Sequence, residues 1–221
     1  MFGNDQPIAE FRGPWGVPIQ IGGSVIFLVL LFVGVGLRPG DMVYDLIFLG
    51  LVLLSILAHE LGHAWGCLIQ GVPVRRVMLH GGGGFCEHAR APSRYEAELI
   101  VAMGPIVNLA IWAVAGLVAA QMEWGMARWV VSTLSFVNLW LAVFNLIPVQ
   151  PLDGGKLFHL ALARLMPSDR ASRIAGTVGF VLALVWIPAM VACFFLTGFL
   201  LLFIPSLAAQ RQLMEVRRSR A

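Results

Sequence analysis

The sequence predicts an all-α polytopic membrane protein with about six transmembrane helices and a short β-hairpin at the membrane surface between the second and third. Of its 221 residues, 59% are hydrophobic and 12% are charged, whereas a soluble domain carries about 25% charged residues. The mean hydropathy is +0.84, and several stretches without charge reach the roughly 20 residues that a membrane-spanning helix needs. We therefore expect a single membrane domain over residues 1–221, with no room for an added soluble domain of ordinary size.

Hydropathy and helix-ending residues delimit the spans. The first four are expected at residues 19–37, 44–70, 97–120 and 129–147, each followed by proline, glycine or a charged turn. Residues 174–208 form an uncharged run that is too long for one span and short for two, and we expect two short helices that turn near residues 196–198. Residues 1–18 are expected to be a polar tail at the interface and not a cleavable signal peptide.

Residues 74–94 differ in character from the spans. Apolar and polar residues alternate from Val74 to His80, and four consecutive glycines follow at residues 81–84. Alternation indicates a strand, and glycines indicate a tight turn. This stretch is therefore predicted to be the short hairpin at the membrane surface.

The basic residues set the expected orientation. Twelve of the fifteen Lys and Arg residues lie in residues 71–96, in residues 154–173 and in the C-terminal tail, three segments that six spans put on one side. Because cytoplasmic loops are enriched in Lys and Arg, we expect both termini in the cytoplasm and the chain in the plasma or inner membrane. The net charge of +3 then reports topology, and we expect no nucleic-acid partner.

A carboxylate and two imidazoles interrupt the apolar second span. Glu60 is the only formally charged residue between residues 46 and 74, and His59 and His63 flank it. A central acid costs about 2.5–3.5 kcal/mol on insertion scales, so intramembrane ionisable groups are functional by default. On a helix the two histidines project from one face, and H-E-x-x-H is the pattern in which two histidines bind zinc beside a glutamate general base. The pattern predicts a zinc centre, and the alternative is a pair of hydrogen-bonded structural histidines.

A catalytic zinc centre needs a third protein ligand and one open position. Asp153 is the only charged residue between Arg128 and Lys156, and it follows the fourth span on the side where His63 is expected. Irregular backbone at membrane depth is tolerated when it is buried in protein or lines a water cavity, so residues 148–155 can carry Asp153 towards the imidazoles. The alternatives for Asp153 are a helix cap and a partner for Lys156.

Two asparagines are further candidates. Asn108 follows Gly104 and Pro105 in the third span, and Asn145 lies at the end of the fourth. Either amide can hydrogen-bond a substrate carbonyl or a tetrahedral oxyanion, and either can equally make an interhelical polar contact.

Three motifs together resemble the site-2 protease family of intramembrane zinc metalloproteases. They are His59-Glu60-x-x-His63, Gly104-Pro105-x-x-Asn108 and Asn145-x-x-Pro148-x-x-x-Leu152-Asp153-Gly154. The resemblance covers roughly residues 44–160. It implies that His59, His63 and Asp153 bind one zinc ion. It further implies that Glu60 is the general base and that Asn145 lies at the catalytic site.

The resemblance also implies a substrate and a domain plan. The enzyme would cleave a transmembrane or membrane-proximal segment of a membrane protein, with the hairpin near residues 81–85 pairing with the extended substrate. Gly82 and Gly83 are therefore candidates for substrate or oxyanion contact. Many members carry a PDZ or a cystathionine-synthase-type regulatory domain, for which 221 residues leave no room. We expect a compact form with a catalytic core at residues 44–160 and C-terminal helices at residues 174–210.

Two other functions compete with proteolysis. A lipid hydrolase or oxygenase of the di-iron kind needs several histidine clusters, and the sequence has one. A non-proteolytic metal-binding protein, such as a transporter or a chaperone, would favour polar residues on several spans and would leave Glu60 without a task. We therefore expect a zinc endopeptidase that acts on a transmembrane protein within the lipid bilayer.

Overall fold

The computed structural model describes residues 5–35, 42–197 and 204–215. In chain order the helices and strands are β1 (Pro7–Arg12), β2 (Pro18–Gly22), α1 (Val25–Val35), α2 (Met42–Ile69), β3 (Val74–His80), β4 (Gly83–His88), α3 (Arg94–Ala120), α4 (Met126–Asn145), α5 (Asp153–Leu165), α6 (Ser168–Thr197) and α7 (Leu207–Glu215). They group into two compact units, Met1–Val143 and Phe144–Ala221.

The first unit contains a four-stranded sheet in the order β1-β2-β3-β4. β1 pairs with β2, and β3 with β4, in antiparallel fashion, whereas β2 and β3 run parallel, with Ile19 opposite Val77 and Ile21 opposite Leu79. The hairpin predicted within residues 74–94 is therefore present as β3 and β4. Its location at a membrane surface stays a prediction.

The hairpin of β1 and β2 corrects the prediction for the N-terminal residues. The sequence predicts a polar tail and the start of a span here, but residues 7–22 form two strands. Pro18 begins β2, and the side chain of Ile19 is buried with Ala64 of α2 and Val77 of β3. Because this apolar strand packs on a protein surface, it belongs to a sheet rather than to the first turn of a span. The fold is thus mostly helical, as predicted, but its small sheet has four strands instead of the two of the predicted hairpin.

Among the described residues, four helices are long and apolar enough to cross a membrane: α2, α3, α4 and Ser168–Ala192 of α6. The bounds of the first three of these helices agree to within a few residues with the predicted second, third and fourth spans. For the predicted first span the structure shows α1, and residues 36–41 lie outside the described part of the chain. The total of six spans stays a prediction.

α2 and α3 are the two helices that position the candidate site. α3 starts at a capping box, in which Ser93 and Glu96 each accept a hydrogen bond from the other's backbone N–H. Gln70, directly after α2, donates to the backbone oxygen of Glu96 at 2.8 Å. The end of α2 is therefore tied to the start of α3.

The second unit contains α5, α6 and α7. The predicted connector at residues 154–173 is α5 followed by the first turn of α6. Of the two short helices predicted in residues 174–208, the second falls mostly on residues outside the described part of the chain. The first corresponds to α6, which has 30 residues because it already begins at Ser168. It ends at Thr197, close to the predicted turn, and residues 198–203 lie outside the described ranges. α7 has nine residues, fewer than a span needs.

Candidate metal centre

His59, Glu60 and His63 lie on α2 and are buried, with 5%, 6% and 8% of their surfaces exposed. One helical turn separates the two histidines, and their rings meet edge to face with centroids 4.7 Å apart. The two Nε2 atoms are 3.1 Å apart. The expectation that both imidazoles project from one face of a helix is therefore confirmed.

The other ring nitrogens decide the protonation of the pair. His59 Nδ1 lies 2.6 Å from Asn108 Oδ1, and His63 Nδ1 lies 2.8 Å from the backbone oxygen of Ile100. A carbonyl oxygen only accepts a hydrogen bond, so each Nδ1 carries a proton and each Nε2 keeps its lone pair. Two lone pairs that face each other at this distance repel unless both bind a cation. Zinc binds imidazole nitrogens at about 2.0–2.1 Å, so one ion fits this donor pair.

Gly104 of α3 provides the space that the two rings occupy. A Cβ atom at this position would lie 2.6 Å from His63 Nε2 and 2.7 Å from His59 Nε2. Close-packed interiors do not tolerate such approaches, so a side chain here would displace both candidate ligand atoms. The glycine of the second motif thus has a spatial role, which sequence reasoning missed.

Glu60 faces the last strand of the sheet. A Cβ atom on Gly84 of β4 would lie 2.6 Å from Glu60 Cγ and 3.1 Å from Oε1. The backbone of β4 therefore passes directly beside the carboxylate. Sequence reasoning missed Gly84, because the four glycines at residues 81–84 look alike until the register of β4 against β3 is known.

The structure distinguishes the two glycines that the sequence offers as substrate contacts. Gly82 lies in the turn before β4, and its N–H donates to Nδ1 of His80 at 3.0 Å. Gly83 begins β4 and pairs with His80. The N–H of Gly82 is thus already hydrogen-bonded, whereas Gly84 is the glycine in contact with Glu60.

The turn before β4 is tied to the N-terminal residues. The N–H of Gly81 donates to Ser24 Oγ at 2.7 Å, and the hydroxyl and N–H of Ser24 donate to the Asp5 carboxylate. The hydrogen bond from the Ser24 hydroxyl holds the pKa of Asp5 below its ordinary value. Burial lowers the pKa of His80 in the same turn, although the charge of Asp5 opposes that shift. A chain of polar contacts therefore runs from Asp5 to the turn that leads into β4.

Asn108 is fully buried and makes interhelical hydrogen bonds. Besides its contact to His59, its Nδ2 donates to Asn138 Oδ1 of α4 at 2.7 Å and to the backbone oxygen of Ser55 of α2 at 3.2 Å. Of the two interpretations of Asn108, the interhelical contact is the one that the structure shows. Asn145 is the last residue of α4 and is half-buried.

Asp153 belongs to the second unit and is the first residue of α5. It is 4% exposed, and its Oδ1 lies 3.2 Å from Nζ of Lys156, whose side chain is half-exposed. The N-cap of α5 is Leu152, so Asp153 does not cap the helix, whereas the alternative of a Lys156 partner is present. A negative charge in the first turn is also favoured by the helix dipole.

The sequence is similar to a known peptidase family and to several known proteins. The sequence profile described as Peptidase family M50 matches residues 113–186. A zinc metalloprotease of Methanocaldococcus jannaschii is 29% identical over 171 residues, which are 77% of this chain and 50% of the relative. Rip3 of Mycobacterium tuberculosis is 33% identical over 200 residues, 83% of this chain and 51% of that protein. Stage IV sporulation protein FB of Bacillus subtilis is 32% identical over 130 residues, 56% of this chain and 43% of that protein.

A solved structure supports the fold over nearly the whole chain. The site-2 protease from Methanocaldococcus jannaschii superposes with a TM-score of 0.67 at 24% identity, covering 96% of this chain and 98% of the solved one. The chain spans about half the length of the curated relatives it matches. The resemblance read from the three motifs is confirmed: the chain, a multi-pass membrane protein, matches the model of Peptidase family M50 in part and is similar to zinc metalloproteases and to a solved site-2 protease.

Proposed function

We propose that the protein is an intramembrane zinc metalloendopeptidase that hydrolyses peptide bonds within or next to transmembrane segments of membrane proteins. One observation carries the proposal. The facing Nε2 lone pairs of His59 and His63 lie 3.1 Å apart on a buried helix, and Glu60 is the residue between them in the motif. This donor set suits one zinc ion with a carboxylate base beside it.

The proposed zinc ligands are His59, His63 and Asp153. Asp153 is the third ligand that the Leu152-Asp153-Gly154 motif leads us to expect. When bound, zinc supplies a Lewis acid and lowers the pKa of water. Glu60 accepts the proton of the attacking water and later donates it to the leaving amine. Burial suits this task, because a dry carboxylate transfers protons without competition from bulk solvent.

We propose that the substrate binds as an extended strand along β4. Among the strands of the described sheet, β4 occupies one end of the order and pairs with β3, so its other edge can accept a strand. The contact between Gly84 and Glu60 would put the main chain of such a strand close to the base. A helical substrate must first unwind, because the hydrogen bonds of a helix shield its peptide bonds. We propose Asn145 and Gly83 as further groups to test for contact with the scissile carbonyl, because the Asn108 amide and the Gly82 N–H are already hydrogen-bonded within the protein.

The proposed setting is a plasma or inner membrane that the chain crosses six times with both termini in the cytoplasm. Support comes from the distribution of Lys and Arg, which favours the cytoplasmic side for the β3–β4 hairpin. In this arrangement the chain is a single membrane domain, with the core at residues 44–160 and C-terminal helices at residues 174–210.

The test uses the purified full chain and a synthetic single-pass peptide that contains Asn-Pro in its apolar segment. Cleavage is monitored by mass spectrometry. Glu60→Gln should abolish cleavage and keep one zinc per chain, because the amide cannot accept a proton. Glu123→Gln, in the turn between α3 and α4, is the matched control and should cleave normally. Cleavage by Glu60→Gln at the wild-type rate would remove the general-base assignment.

The ligand set is tested by metal content. His59→Ala and Asp153→Asn should each lose zinc, because each removes a negatively charged or lone-pair donor from the proposed ion. Lys156→Met removes the ion-pair partner of Asp153 and should keep zinc. If Asp153→Asn binds zinc as the wild type does, Asp153 is the ion-pair partner of Lys156 and is not a zinc ligand.

A further inference from the structure

Three buried polar side chains from three helices meet behind His59. Ser55 of α2 lies one helical turn before His59, Asn108 lies on α3, and Asn138 lies on α4. Ser55 is 1% exposed, and both asparagines are 0% exposed. Polar groups buried this deeply are tolerated when every donor and acceptor is matched. Asn138 and Ser55 belong to none of the three sequence motifs.

The hydrogen bonds of this cluster have a fixed direction. The amide Nδ2 of Asn138 donates to the backbone oxygen of Leu134 at 2.8 Å and to Ser55 Oγ at 2.9 Å. The Ser55 hydroxyl donates onwards to the backbone oxygen of Leu51 at 2.7 Å. Asn138 Oδ1 can then only accept, and it accepts a hydrogen bond from Nδ2 of Asn108 at 2.7 Å.

This direction fixes the amide of Asn108 as well. Its second Nδ2 proton goes to the backbone oxygen of Ser55, so its Oδ1 must face His59 Nδ1, where the contact is 2.6 Å. A flipped Asn108 amide would place oxygen against two acceptors, the Ser55 backbone oxygen and Asn138 Oδ1. A flipped Asn138 amide would likewise place oxygen against the Leu134 carbonyl. The backbone oxygens of the helices therefore determine which atom donates and which accepts in each hydrogen bond of this cluster.

We propose that Asn138, together with Ser55, is a positioning residue for the metal centre. Acting through Asn108, it keeps the proton of His59 on Nδ1 and so presents the Nε2 lone pair to the ion. The inference rests on the proposed zinc centre and goes beyond it, because it assigns the tautomer of one ligand to side chains on α4 and α2. Outer groups that orient metal-binding histidines typically change metal affinity 10–100-fold when removed.

The main variant is Asn138→Leu, which keeps the side-chain volume and removes the amide. The matched control is Ser135→Ala on the same helix. Ser135 Oγ donates to the backbone oxygen of Trp112 of α3 at 2.9 Å, so its removal costs one α3–α4 hydrogen bond and leaves the bonds to His59 in place. Ser55→Ala is a milder second variant, because Asn108 also donates to the backbone oxygen of Ser55, which alanine retains.

Two readouts test the proposal on the full chain. The first is zinc affinity by competition with a chelator: we expect about a 10–100-fold loss in Asn138→Leu, a smaller loss in Ser55→Ala and less than a twofold change in Ser135→Ala. The second is the ¹⁵N spectrum of the histidine rings in metal-free protein. Wild type should show His59 protonated on Nδ1, and Asn138→Leu should show the proton shared with Nε2. His63 serves as the internal reference, because its Nδ1 donates to the backbone of Ile100.

The outcomes separate this inference from the proposed function. Wild-type zinc affinity together with an unchanged His59 tautomer in both Asn138→Leu and Ser55→Ala would overturn the inference and leave the zinc centre intact. A wild-type protein that binds no zinc, or a His59→Ala variant that binds it normally, would instead remove the proposed centre. If Asn138→Leu does not fold, Ser55→Ala decides by the same two measurements.

Discussion

His59 and His63 lie in the C-terminal half of a 28-residue helix, whereas Asp153 lies at the first position of a 13-residue helix. In the first unit, side-chain hydrogen bonds and the missing side chain of Gly104 set the position of the imidazoles. In the second unit, tight backbone contacts set the position of the carboxylate. The proposed ligands are thus held by a polar network in one unit and by backbone contacts in the other, so we expect substitutions in the two units to have different effects.

The backbone contacts of the second unit begin just before Asp153. The N–H of Leu152 donates to the backbone oxygen of Val149 at 3.0 Å, and Gly154 packs against the carbonyl of Leu146 so closely that a Cβ atom would overlap it. Val149 and Leu152 are buried together with Ala183 of α6. The stretch before α5 is therefore held by its own backbone and by apolar packing.

α7 adds a second hold on this stretch. The backbone oxygen of Gln150 accepts hydrogen bonds from Ser206 N at 3.3 Å and from Gln210 Nε2 at 3.1 Å. Gln210 lies on this short helix and is buried, with 1% of its surface exposed. The segment that leads to Asp153 is thus fixed partly by residues about 60 positions later in the chain.

The largest effect is expected from Gly104→Ala. The new Cβ atom would lie on the two Nε2 atoms, so we expect zinc affinity to fall by about a hundredfold or more. The measurement is chelator competition, and the control is Gly50→Ala on α2, where a Cβ atom meets nothing within 4 Å. Normal zinc binding by Gly104→Ala would show that the rings can move aside and that the glycine does not define the site.

Gly154→Ala should act on stability first. Its Cβ atom would collide with the backbone of Leu146 and lie 2.5 Å from the backbone oxygen of Ile147, and overpacking of this kind costs about 1–3 kcal/mol. Thermal unfolding of the metal-free protein measures this effect, with Gly125→Ala, which has open space at its Cβ position, as the control. The comparison between the units would lose its basis if Gly154→Ala changed zinc affinity without lowering the unfolding temperature.

The smallest effect is expected from Gln210→Leu. This change removes one of the two hydrogen bonds to the Gln150 carbonyl, and a typical intramolecular hydrogen bond contributes about 0.5–1.5 kcal/mol. We expect a loss of that size in the free energy of unfolding, read from denaturant titration, whereas Gln212→Leu on the exposed face of α7 should be neutral. Equal effects of the two variants would mean that α7 does not hold the stretch before α5.

The residues with unusual chemistry could be predicted from the sequence. Glu60 and Asp153 are isolated charges in apolar surroundings, and the spacing of His59 and His63 is visible on any helix, so their burial and the facing imidazoles were accessible without coordinates. The three spans of α2, α3 and α4 follow from hydropathy in the same way. Whether Asp153 completes the zinc site stays a prediction.

The contacts that depend on distant residues could not be predicted. β2 pairs with β1 and also with β3, whose residues come more than fifty positions later, and the apolar residue Ile19 equally fits the start of a span. Asn138 looks like any polar residue on an apolar helix until Ser55 and Asn108 are seen beside it. Gly84 acquires its contact with Glu60 only from the register of the hairpin.

The parallel pairing of β2 with β3 has a consequence for biosynthesis. β2 ends at Gly22 and β3 begins at Val74, with α1 and α2 between them. A ribosome adds about 5–20 residues per second, so the first hairpin is made seconds before β3, while α1 and α2 are being synthesised. The sheet and its last strand beside Glu60 can be completed only after α1 and α2 have been made. The nascent chain therefore gains the proposed substrate-binding edge at β4 only after α1 and α2 have been made.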